Sequence, residues 1–252
     1  MRIDYDEQNV YDALRAFYLA TGVAVKLLDE NFQPLCRQVG AHTPYCAAIQ
    51  AQKGGKTACG RSDAAILQKA KQTKQPQTHV CHAGLIDVAV PLLHGTDILG
   101  FLILGQMKRT ADFSAAKDCL LAAMDEAQLA QMQLTYQNLT LFNEEKIQSV
   151  AKIAVMLAKH LLLDRLLTPT PEHHAERASA FIEQNLSSPL SIQRISRGVG
   201  TSKSVLYKAF HTAYGCTIGE FVNQKRVEKA AELLTSTALS LDEVALQVGF
   251  NT

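Results

Sequence analysis

Apolar residues recur with a helical period near the carboxyl end of the chain, and the pattern occurs twice. The segment 190–200 reads Leu-Ser-Ile-Gln-Arg-Ile-Ser-Arg-Gly-Val-Gly, and the segment 239–249 repeats its apolar, polar and glycine positions 49 residues later. A repeat of this length cannot bury its own apolar face. Each copy is therefore expected to be one helix-turn-helix unit within a larger helical body.

The first copy predicts a complete helix-turn-helix. Ser191 is the expected cap of a helix that ends near Gly200, and a polar turn over 200–202 leads into a second helix. The residues expected to face inward are Ile192, Ile195 and Val199 in the first helix and Leu206, Phe210 and Tyr214 in the second.

The opposite face of the second helix is polar and is the candidate nucleic-acid surface of the chain. Its hydroxyl, basic and aromatic side chains can donate to phosphate oxygens and to base edges. The candidate residues are Thr201, Ser202, Lys203, Ser204, Tyr207, Lys208 and His211. Lys203, Tyr207 and Lys208 are expected to contact bases, whereas Ser202 and Ser204, near the start of the helix, are expected to meet phosphates.

A third helix is predicted from about Ile218 to Leu234. The residues expected to face inward along it are Phe221, Val227, Ala230 and Leu234. Lys225 and Arg226 on the same helix are candidates for contacts to the DNA backbone, and an ordinary exposed helix face is the competing interpretation.

The first part of the chain alternates between helical and strand patterns. Helices are predicted over 6–19, 45–50 and 62–71, the last one capped by Ser62. Strands are predicted over 23–28, 34–39, 78–81, 85–92 and 98–106. A turn at 29–31 joins the first two strands, and a turn at 94–97 joins the last two.

This order of elements predicts an α+β fold in which a single antiparallel sheet carries helices on one face, as in the PAS and GAF sensor domains. The segment 115–167 is helical in pattern, and its last helix, 144–167, has apolar residues at near-heptad spacing. These residues are Ile147, Val150, Ala154, Leu157 and Leu161. They predict either the seam of a homodimer or a helix packed on its own domain.

The sequence Thr-Pro-Thr-Pro at 168–171 marks the clearest break in the chain, because its prolines favour a stiff, extended backbone. We therefore predict a sensory domain with its connecting helix over 1–167, a linker over 168–172, and an all-α helix-turn-helix domain over 173–252.

The formal net charge of +1 conceals an uneven distribution. The segment 190–229 holds seven basic and two acidic residues, a net charge of +5, so the remainder of the chain sums to −4. This asymmetry favours one domain that meets a polyanion such as double-stranded DNA and one that does not. No signal sequence or apolar run of membrane length is visible, so a cytoplasmic protein without membrane contact is expected.

The carboxyl-terminal region resembles the DNA-binding region of the AraC family of transcription regulators. The resemblance is carried by Leu-Tyr-Lys-Ala-Phe at 206–210, Tyr-Gly-Cys-Thr at 214–217, the segment 226–234 and Val-Gly-Phe at 248–250. It implies two helix-turn-helix units joined by a long helix, each presenting a recognition helix to the DNA major groove. The sequence ends at Thr252, before the second recognition helix, so we expect either a fragment or a second unit that does not read DNA.

The amino-terminal region resembles the PocR-type sensory domain. The resemblance covers most of 1–109 and is carried by Cys46, Cys-Gly-Arg-Ser-Asp at 59–63, Cys-His-Ala-Gly-Leu at 81–85, Val-Pro-Leu at 90–92 and Gly-Gln at 105–106. It implies a PAS-like pocket for a small effector derived from a hydrocarbon, such as a short diol.

Cysteines form the other chemical constellation of the chain. Cys46, Cys59 and Cys81 lie in three different predicted elements, with Cys36 upstream and His82 beside the last of them. Thiolates that converge from separate elements could hold zinc or an iron–sulfur cluster, with Cys36 or His82 as the fourth ligand. Reduced thiols that line a pocket, and disulfides, are the alternatives. The spacing lacks a C-x-x-C pair, so the sequence fixes no cofactor.

Enzymatic activity has little support in the sequence. Cys81 and His82 are adjacent where a predicted strand ends, and extended backbone there would point their side chains to opposite faces, so they cannot pair as nucleophile and base. The Gly-Gly-Lys-Thr stretch at 54–57 lacks the first glycine of a phosphate-binding loop and is expected to be a solvated turn. We predict an effector-responsive, DNA-binding transcription regulator. The alternative is a metal or redox sensor that signals through protein association.

Overall fold

A computed structural model describes residues 3–95, 97–120 and 124–250 of the chain. The chain folds into two compact units, with the division between Thr168 and Pro169. Among the described residues, none of the helices is both long enough and apolar enough to cross a membrane.

The amino-terminal unit consists of six helices and six strands in the described residues. The helices are α1 (Glu7–Thr21), α2 (Pro44–Ala51), α3 (Gly55–Thr73), α4 (Ser114–Leu120), α5 (Glu126–Gln137) and α6 (Glu144–Leu163). The strands are β1 (Ile3–Tyr5), β2 (Ala24–Asp29), β3 (Gln77–Val80), β4 (Ile86–His94), β5 (Asp97–Met107) and β6 (Leu167–Pro169).

An antiparallel sheet of four strands, in the order β2-β5-β4-β3, forms the centre of this unit. The predicted strand over 34–39 is wrong, because this segment touches the sheet only at isolated bridges from Pro34 to Leu28 and from Val39 to Val25. Between these two bridges the segment forms no continuous ladder with β2. The turn at 29–31 is present, whereas the turn predicted at 94–97 includes Thr96, which lies outside the described residues.

Helices cover both faces of the sheet, so the prediction of helices on one face is wrong. Val88, Val90 and Leu102 pack on one side in a core that α1 and α6 complete. On the other side, Ala89 and Phe101 pack against α3. Both sets of alternating side chains in β4 and β5 are therefore buried, as in a three-layer α+β domain.

The connecting helix α6 packs on its own domain. Of the five residues at near-heptad spacing, Ile147, Val150, Ala154 and Leu161 are buried in the core of the amino-terminal unit, and Leu157 is half-buried against it. The dimer seam predicted from these residues is wrong, because the sheet already covers that face of the helix. A homodimer built on another surface stays a prediction.

Helix α3 begins seven residues before the predicted start at Ser62. Gly54 caps it in the left-handed region, with φ +80°, and the predicted solvated turn over 54–57 is instead the start of this helix. Ser62 consequently lies inside the helix, where its Oγ accepts a hydrogen bond from the backbone N–H of His82 at 3.3 Å.

The carboxyl-terminal unit is helical throughout its described elements. These are α7 (Pro171–Gln184), α8 (Ile192–Val199), α9 (Lys203–Tyr214), α10 (Ile218–Ser236) and α11 (Leu241–Val248). Residues 168–172, predicted as an extended linker, instead contain the end of β6, the cap Thr170 and the start of α7 at Pro171. Proline at the first position of a helix is favourable because its missing N–H would have no partner there.

The repeat seen in the sequence corresponds to a repeat in structure. Ser191 and Gly200 cap α8, and Ser240 and Gly249, each 49 residues later, cap α11. Both glycines have positive φ, the conformation that ends a helix at little cost for glycine. The buried residues repeat at the same offset, with Ile195 and Val199 in α8 and Val244 and Val248 in α11.

The core of this unit is formed by α7, α8, α9 and the first half of α10. Ile218, Phe221 and Val222 of α10 are buried in it. Val227 and Leu234, predicted to face inward, are 59% and 46% exposed, because the second half of α10 extends beyond this core. Tyr214 is also partly exposed, although its ring packs on Phe221 with 4.8 Å between ring centroids.

The turn after β2 provides a test of the amino-terminal fold. Asp29 is buried, and its Oδ1 accepts hydrogen bonds from the backbone N–H groups of Asn31 and Gln33, each at 2.8 Å. We expect Asp29→Ala to lower the free energy of unfolding by about 2 kcal/mol, because two N–H groups lose their partner. Asp29→Asn keeps an acceptor oxygen and should lose clearly less. Thermal unfolding of both variants measures this, and equal losses would contradict it.

Candidate functional site

The helix-turn-helix places the predicted DNA-contacting residues on one accessible edge of the carboxyl-terminal unit. Ser202, Lys203, Ser204, Tyr207, Lys208 and His211 are all exposed, and Thr201 is half-exposed. Tyr207 leaves 54% of its surface accessible even though it is aromatic. The opposite face of α9 is fully buried and consists of Leu206, Ala209 and Phe210. Burial of this face fixes the orientation of the polar residues.

The start of α9 is held by its own hydroxyl groups. Ser202 is the cap residue, and its Oγ accepts from the backbone N–H of Val205 at 3.3 Å. The hydroxyl groups of Ser202 and Ser204 are 3.0 Å apart. The helix therefore presents its amino terminus, with the positive end of its dipole, next to Lys203.

Lys225 and Arg226, the two residues considered for contacts to the DNA backbone, have other partners within the protein. Lys225 forms ion pairs with Glu228 at 2.9 Å and Glu183 at 3.8 Å. The Arg226 guanidinium donates to the carbonyl oxygens of Leu186 and Ser188, which ties α10 to the loop after α7. Both side chains therefore have partners within the unit, and their suggested contacts to the DNA backbone stay a prediction.

A second candidate site is a cavity of about 90 Å³ between the sheet and helices α2 and α3, here called the sensory pocket. Polar residues line much of it. These are Lys26, Gln38, His42, Gln50, Ser62, Asp63, His82, Asp87 and Gln106, together with the thiols of Cys46, Cys59 and Cys81. The apolar part of the wall is formed by Ile49, Leu85, Ile103 and Leu104.

One face of α3 reaches both the core and the pocket. Its buried residues Ile66, Leu67 and Ala70 pack on the sheet, and Cys59 and Asp63 precede them at helical spacing on the same face. The Asp63 carboxylate lies 3.7 Å from Nζ of Lys26 on β2. Burial raises the pKa of Asp63, and the nearby lysine partly opposes that effect.

A bulge in the sheet directs a second carboxylate into the pocket. The register of β4 and β5 shifts between Ile86 and Val88, which leaves Asp87 opposite Gly105 and Gln106. A Cβ atom at Gly105 would lie 1.9 Å from Oδ1 of Asp87, so only glycine leaves room for this carboxylate. Gln106 has a φ of 69°, and its backbone N–H donates to Asp87 at 3.3 Å.

The turn over 81–85 positions His82. The backbone N–H of Cys81 donates to the carbonyl of Leu85 at 2.7 Å, and the Gly84 N–H donates to Cys81 at 2.9 Å. The hydroxyl of Tyr45 donates to the carbonyl of Ala83 at 2.7 Å. His82 therefore lies in a turn, not in the extended backbone expected beside Cys81, and its Nε2 is 3.1 Å from Sγ of Cys59.

The structure brings Cys46, Cys59, Cys81 and His82 to one pocket, whereas Cys36 belongs to the core on the opposite face of the sheet. Among the described residues, no group of three or more His, Cys, Asp or Glu side chains is placed to hold a metal ion. Metal or cluster binding by these thiols, with Cys36 or His82 as the fourth ligand, stays a prediction. The thiols line a pocket, which is one of the alternatives that the sequence left open.

Burial sets the protonation of the thiols. It raises the pKa of Cys46 to about 11 and also raises the pKa of Cys81. The pKa of Cys59 is raised by burial and by the charges of Asp63 and Asp87, against a hydrogen bond from Gln50. Burial lowers the pKa of His82. At neutral pH the pocket therefore holds neutral thiols beside a neutral imidazole.

Sequence reasoning missed Asp87, Gln106 and Lys26 as pocket residues. The sequence did indicate the position of Lys26. This lysine alternates with Val25 and Leu27 in β2, so its side chain points to the face of the sheet opposite to theirs. Asp87 interrupts the apolar strand β4 in the same way. The bulge that aims Asp87, however, has no clear mark in the sequence beyond Gly105.

Comparison with known proteins agrees with both units. A family described as the sensory domain found in PocR matches residues 5–165, and a helix-turn-helix domain family matches residues 195–252. The regulatory protein PocR of Salmonella typhimurium is 23% identical over 256 residues, which cover 93% of this chain and 83% of that protein.

Two solved structures are also similar to parts of the chain. A transcriptional regulator with an AraC-type DNA-binding domain from Chromobacterium violaceum is 28% identical, with a TM-score of 0.31, over 31% of this chain and 70% of that one. A GAF domain/HD domain protein from Geobacter sulfurreducens is 15% identical, with a TM-score of 0.30, over 63% of this chain and 95% of that one.

The family matches fall on the two regions whose residues carried the resemblances, and the names of the matched proteins concern regulation rather than catalysis. The sensory match alone spans more than half of the chain. The chain therefore belongs to the PocR sensory-domain family and is a transcription regulator in which that domain precedes an AraC-type helix-turn-helix domain.

Proposed function

We propose that the sensory pocket binds a small, hydroxyl-bearing organic effector, and that its occupancy controls the binding of α9 to double-stranded DNA. The observation that carries the proposal is the pocket itself, which combines two carboxylates and a lysine with an apolar wall. Convergent polar groups in a concave, partly apolar site are the usual features of a small-molecule site.

The size of the pocket limits the effector. One water-sized occupant needs about 10–15 Å³ by the same measure of volume, so about 90 Å³ accommodates roughly six to nine non-hydrogen atoms. A short diol fits this space, and the resemblance to PocR-type domains implies such an effector. Larger sugars and nucleotides would not be enclosed within this volume.

The polar groups suit hydroxyl recognition. Asp63 and Asp87 accept hydrogen bonds from hydroxyl groups, and Lys26 and the amide of Gln38 can donate to hydroxyl oxygens. Ile103, Leu104 and Leu85 provide contact for a short carbon chain. A diol uses both kinds of wall, which is the physical basis for preferring it to a purely apolar ligand.

The DNA-binding part of the proposal depends on α9. Lys203, Tyr207 and Lys208 project from the same exposed face, and an exposed helix amino terminus adjoins them. A helix of this kind fits the major groove, with its first residues near base edges and its hydroxyl groups near phosphates. Thr201, Ser202, Ser204 and His211 complete the proposed contact surface.

Effector control requires a difference in affinity. A ligand shifts an equilibrium between two arrangements of the protein only as far as it binds one of them more tightly. We propose that occupancy of the pocket favours one arrangement of the DNA-binding unit, with α6 as the connecting element. A homodimer would present two such units to DNA and is part of the same proposal.

Salt dependence tests the DNA surface. We expect the full chain to bind a random duplex weakly, with an affinity that falls as salt rises, because phosphate contacts release counterions. A random duplex is bound through charge near its phosphates rather than through specific base contacts, so the double variant Lys203→Gln/Lys208→Gln should reduce the slope of log affinity against log salt by about 2. Fluorescence anisotropy at several salt concentrations measures it.

The matched control for this test is Lys117→Gln/Lys159→Gln, which removes the same charge from exposed positions on α4 and α6. The control should keep the slope of the wild-type chain. An equal reduction of the slope by both double variants would show that α9 is not the DNA-binding surface.

Calorimetric titration with propane-1,2-diol tests the effector site. We expect Asp63→Asn to weaken binding about tenfold, because loss of a charge-assisted hydrogen bond costs about 1.5 kcal/mol. Asp112→Asn, an equivalent change at an exposed carboxylate, should leave the affinity unchanged. Diol binding should also change the DNA affinity of the wild-type chain. Unaltered diol affinity in Asp63→Asn would contradict the assignment of the pocket.

A further inference from the structure

A thiol and an imidazole meet inside the sensory pocket. Sγ of Cys59 on α3 lies 3.1 Å from Nε2 of His82 in the turn over 81–85, and both residues line the cavity. The side chains come from positions 23 residues apart, so the pair exists only because the turn folds onto α3. We propose that this pair captures small aldehydes as reversible covalent adducts on the Cys59 sulfur.

The pair has the geometry that thiol chemistry requires. A nucleophile and its base need to be within hydrogen-bond distance, and sulfur to nitrogen at 3.1 Å satisfies this. Ser62 follows Cys59 by one helical turn and also lines the cavity. Its Oγ accepts from the His82 backbone N–H, which leaves the hydroxyl hydrogen available to donate into the pocket.

The proposed step is an addition in which nothing is released. With the ring proton on Nδ1, Nε2 of His82 accepts the thiol proton while the sulfur electron pair forms a bond to the carbonyl carbon. The π electrons of the carbonyl group move to its oxygen, where the Ser62 hydroxyl can donate a hydrogen bond. The imidazolium returns the proton to that oxygen, giving a neutral hemithioacetal. No oxidant, reductant or metal is consumed.

The environment of the pair agrees with this step. Burial raises the pKa of Cys59 and lowers the pKa of His82, so the resting pair is a thiol beside an unprotonated base. A thiol that stays protonated reacts slowly unless a base removes its proton, and His82 is the group in place to do so. Proton transfer within the pair also makes the reverse reaction accessible, as a sensor requires.

The size of the cavity restricts the reaction to short aldehydes. Roughly six to nine non-hydrogen atoms fit, so a chain of four carbons and one oxygen is accommodated. This inference rests on the proposed role of the pocket as an effector site and specifies a carbonyl compound as one class of effector. The alcohol of the same length lacks the electrophilic carbon and would bind without forming a bond.

The exposed thiol of Cys119 on α4 provides an internal reference for the test. Butanal labelled with ¹³C at the carbonyl is titrated into the full chain, and the adducts are followed by NMR. The Cys59 adduct is the hemithioacetal signal that is absent in Cys59→Ser, and the Cys119 adduct is the one that is absent in Cys119→Ser. We expect the Cys59 adduct to reach half-saturation at a butanal concentration at least tenfold lower than the Cys119 adduct. That preference would show that the pocket promotes capture.

His82→Gln separates the base from simple packing. The variant keeps a polar side chain but cannot accept and return the proton, so exchange between free and bound butanal should slow at least tenfold while the adduct still forms, because general base catalysis contributes about 10²-fold or more. Cys119 should exchange at an unchanged rate in this variant. Unchanged exchange at Cys59 would overturn the role of His82.

Other outcomes separate this inference from the proposed function. If Cys59 shows no preference over Cys119 while propane-1,2-diol still binds the wild-type chain, aldehyde capture is wrong and the sensory pocket stands. If the Cys59 adduct forms preferentially but the diol does not bind, aldehyde capture is supported and the diol proposal fails. Both titrations are carried out on the wild-type protein, and the two cysteine variants serve only to assign the adduct signals.

Discussion

The pairing of β4 with β5 is the constraint on which the amino-terminal unit depends. The two strands occupy the middle of the sheet, and their alternating side chains enter two different cores. Helices α1 and α6 need one face of this pair to bury their apolar residues, and α3 needs the other. The bulge in the same pair turns Asp87 toward the cavity, because Gly105 has no side chain there. Fold stability and pocket chemistry therefore rely on the same few residues.

The carboxyl-terminal unit depends on burial in a comparable way. Leu206 and Phe210 are completely buried among α7, α8 and α10, and this burial decides which side of α9 remains exposed. The residues at the helix ends are hydroxyl caps and left-handed glycines, which fix where each helix begins and stops. The polar face can therefore be accessible without loss of stability, since its residues contribute little to the core.

The chemistry of the pocket follows from long-range packing. Cys59 becomes the neighbour of His82 because the turn over 81–85 is held against α2 by Tyr45 and is closed by its own backbone hydrogen bonds. Burial raises the pKa of Cys46 and Cys81, so both thiols are protonated at neutral pH, as suits a pocket for a neutral organic molecule. Of the two candidates for a fourth ligand, Cys36 lies in another core and His82 lines the pocket.

The sequence by itself determined the features that depend on neighbours along the chain. The repeat of capped helices, the polar face of α9 and the positions of β4 and β5 follow from periodicity and local hydrogen bonding. The apolar runs over 88–93 in β4 and 98–104 in β5 also indicated burial on both faces of the sheet, which the expectation of helices on one face overlooked. Only the tertiary structure decided that α6 packs on its own sheet and that His82 pairs with Cys59 rather than with adjacent Cys81. Such pairings join residues far apart in the chain, and they form because packing of the cores fixes which elements meet.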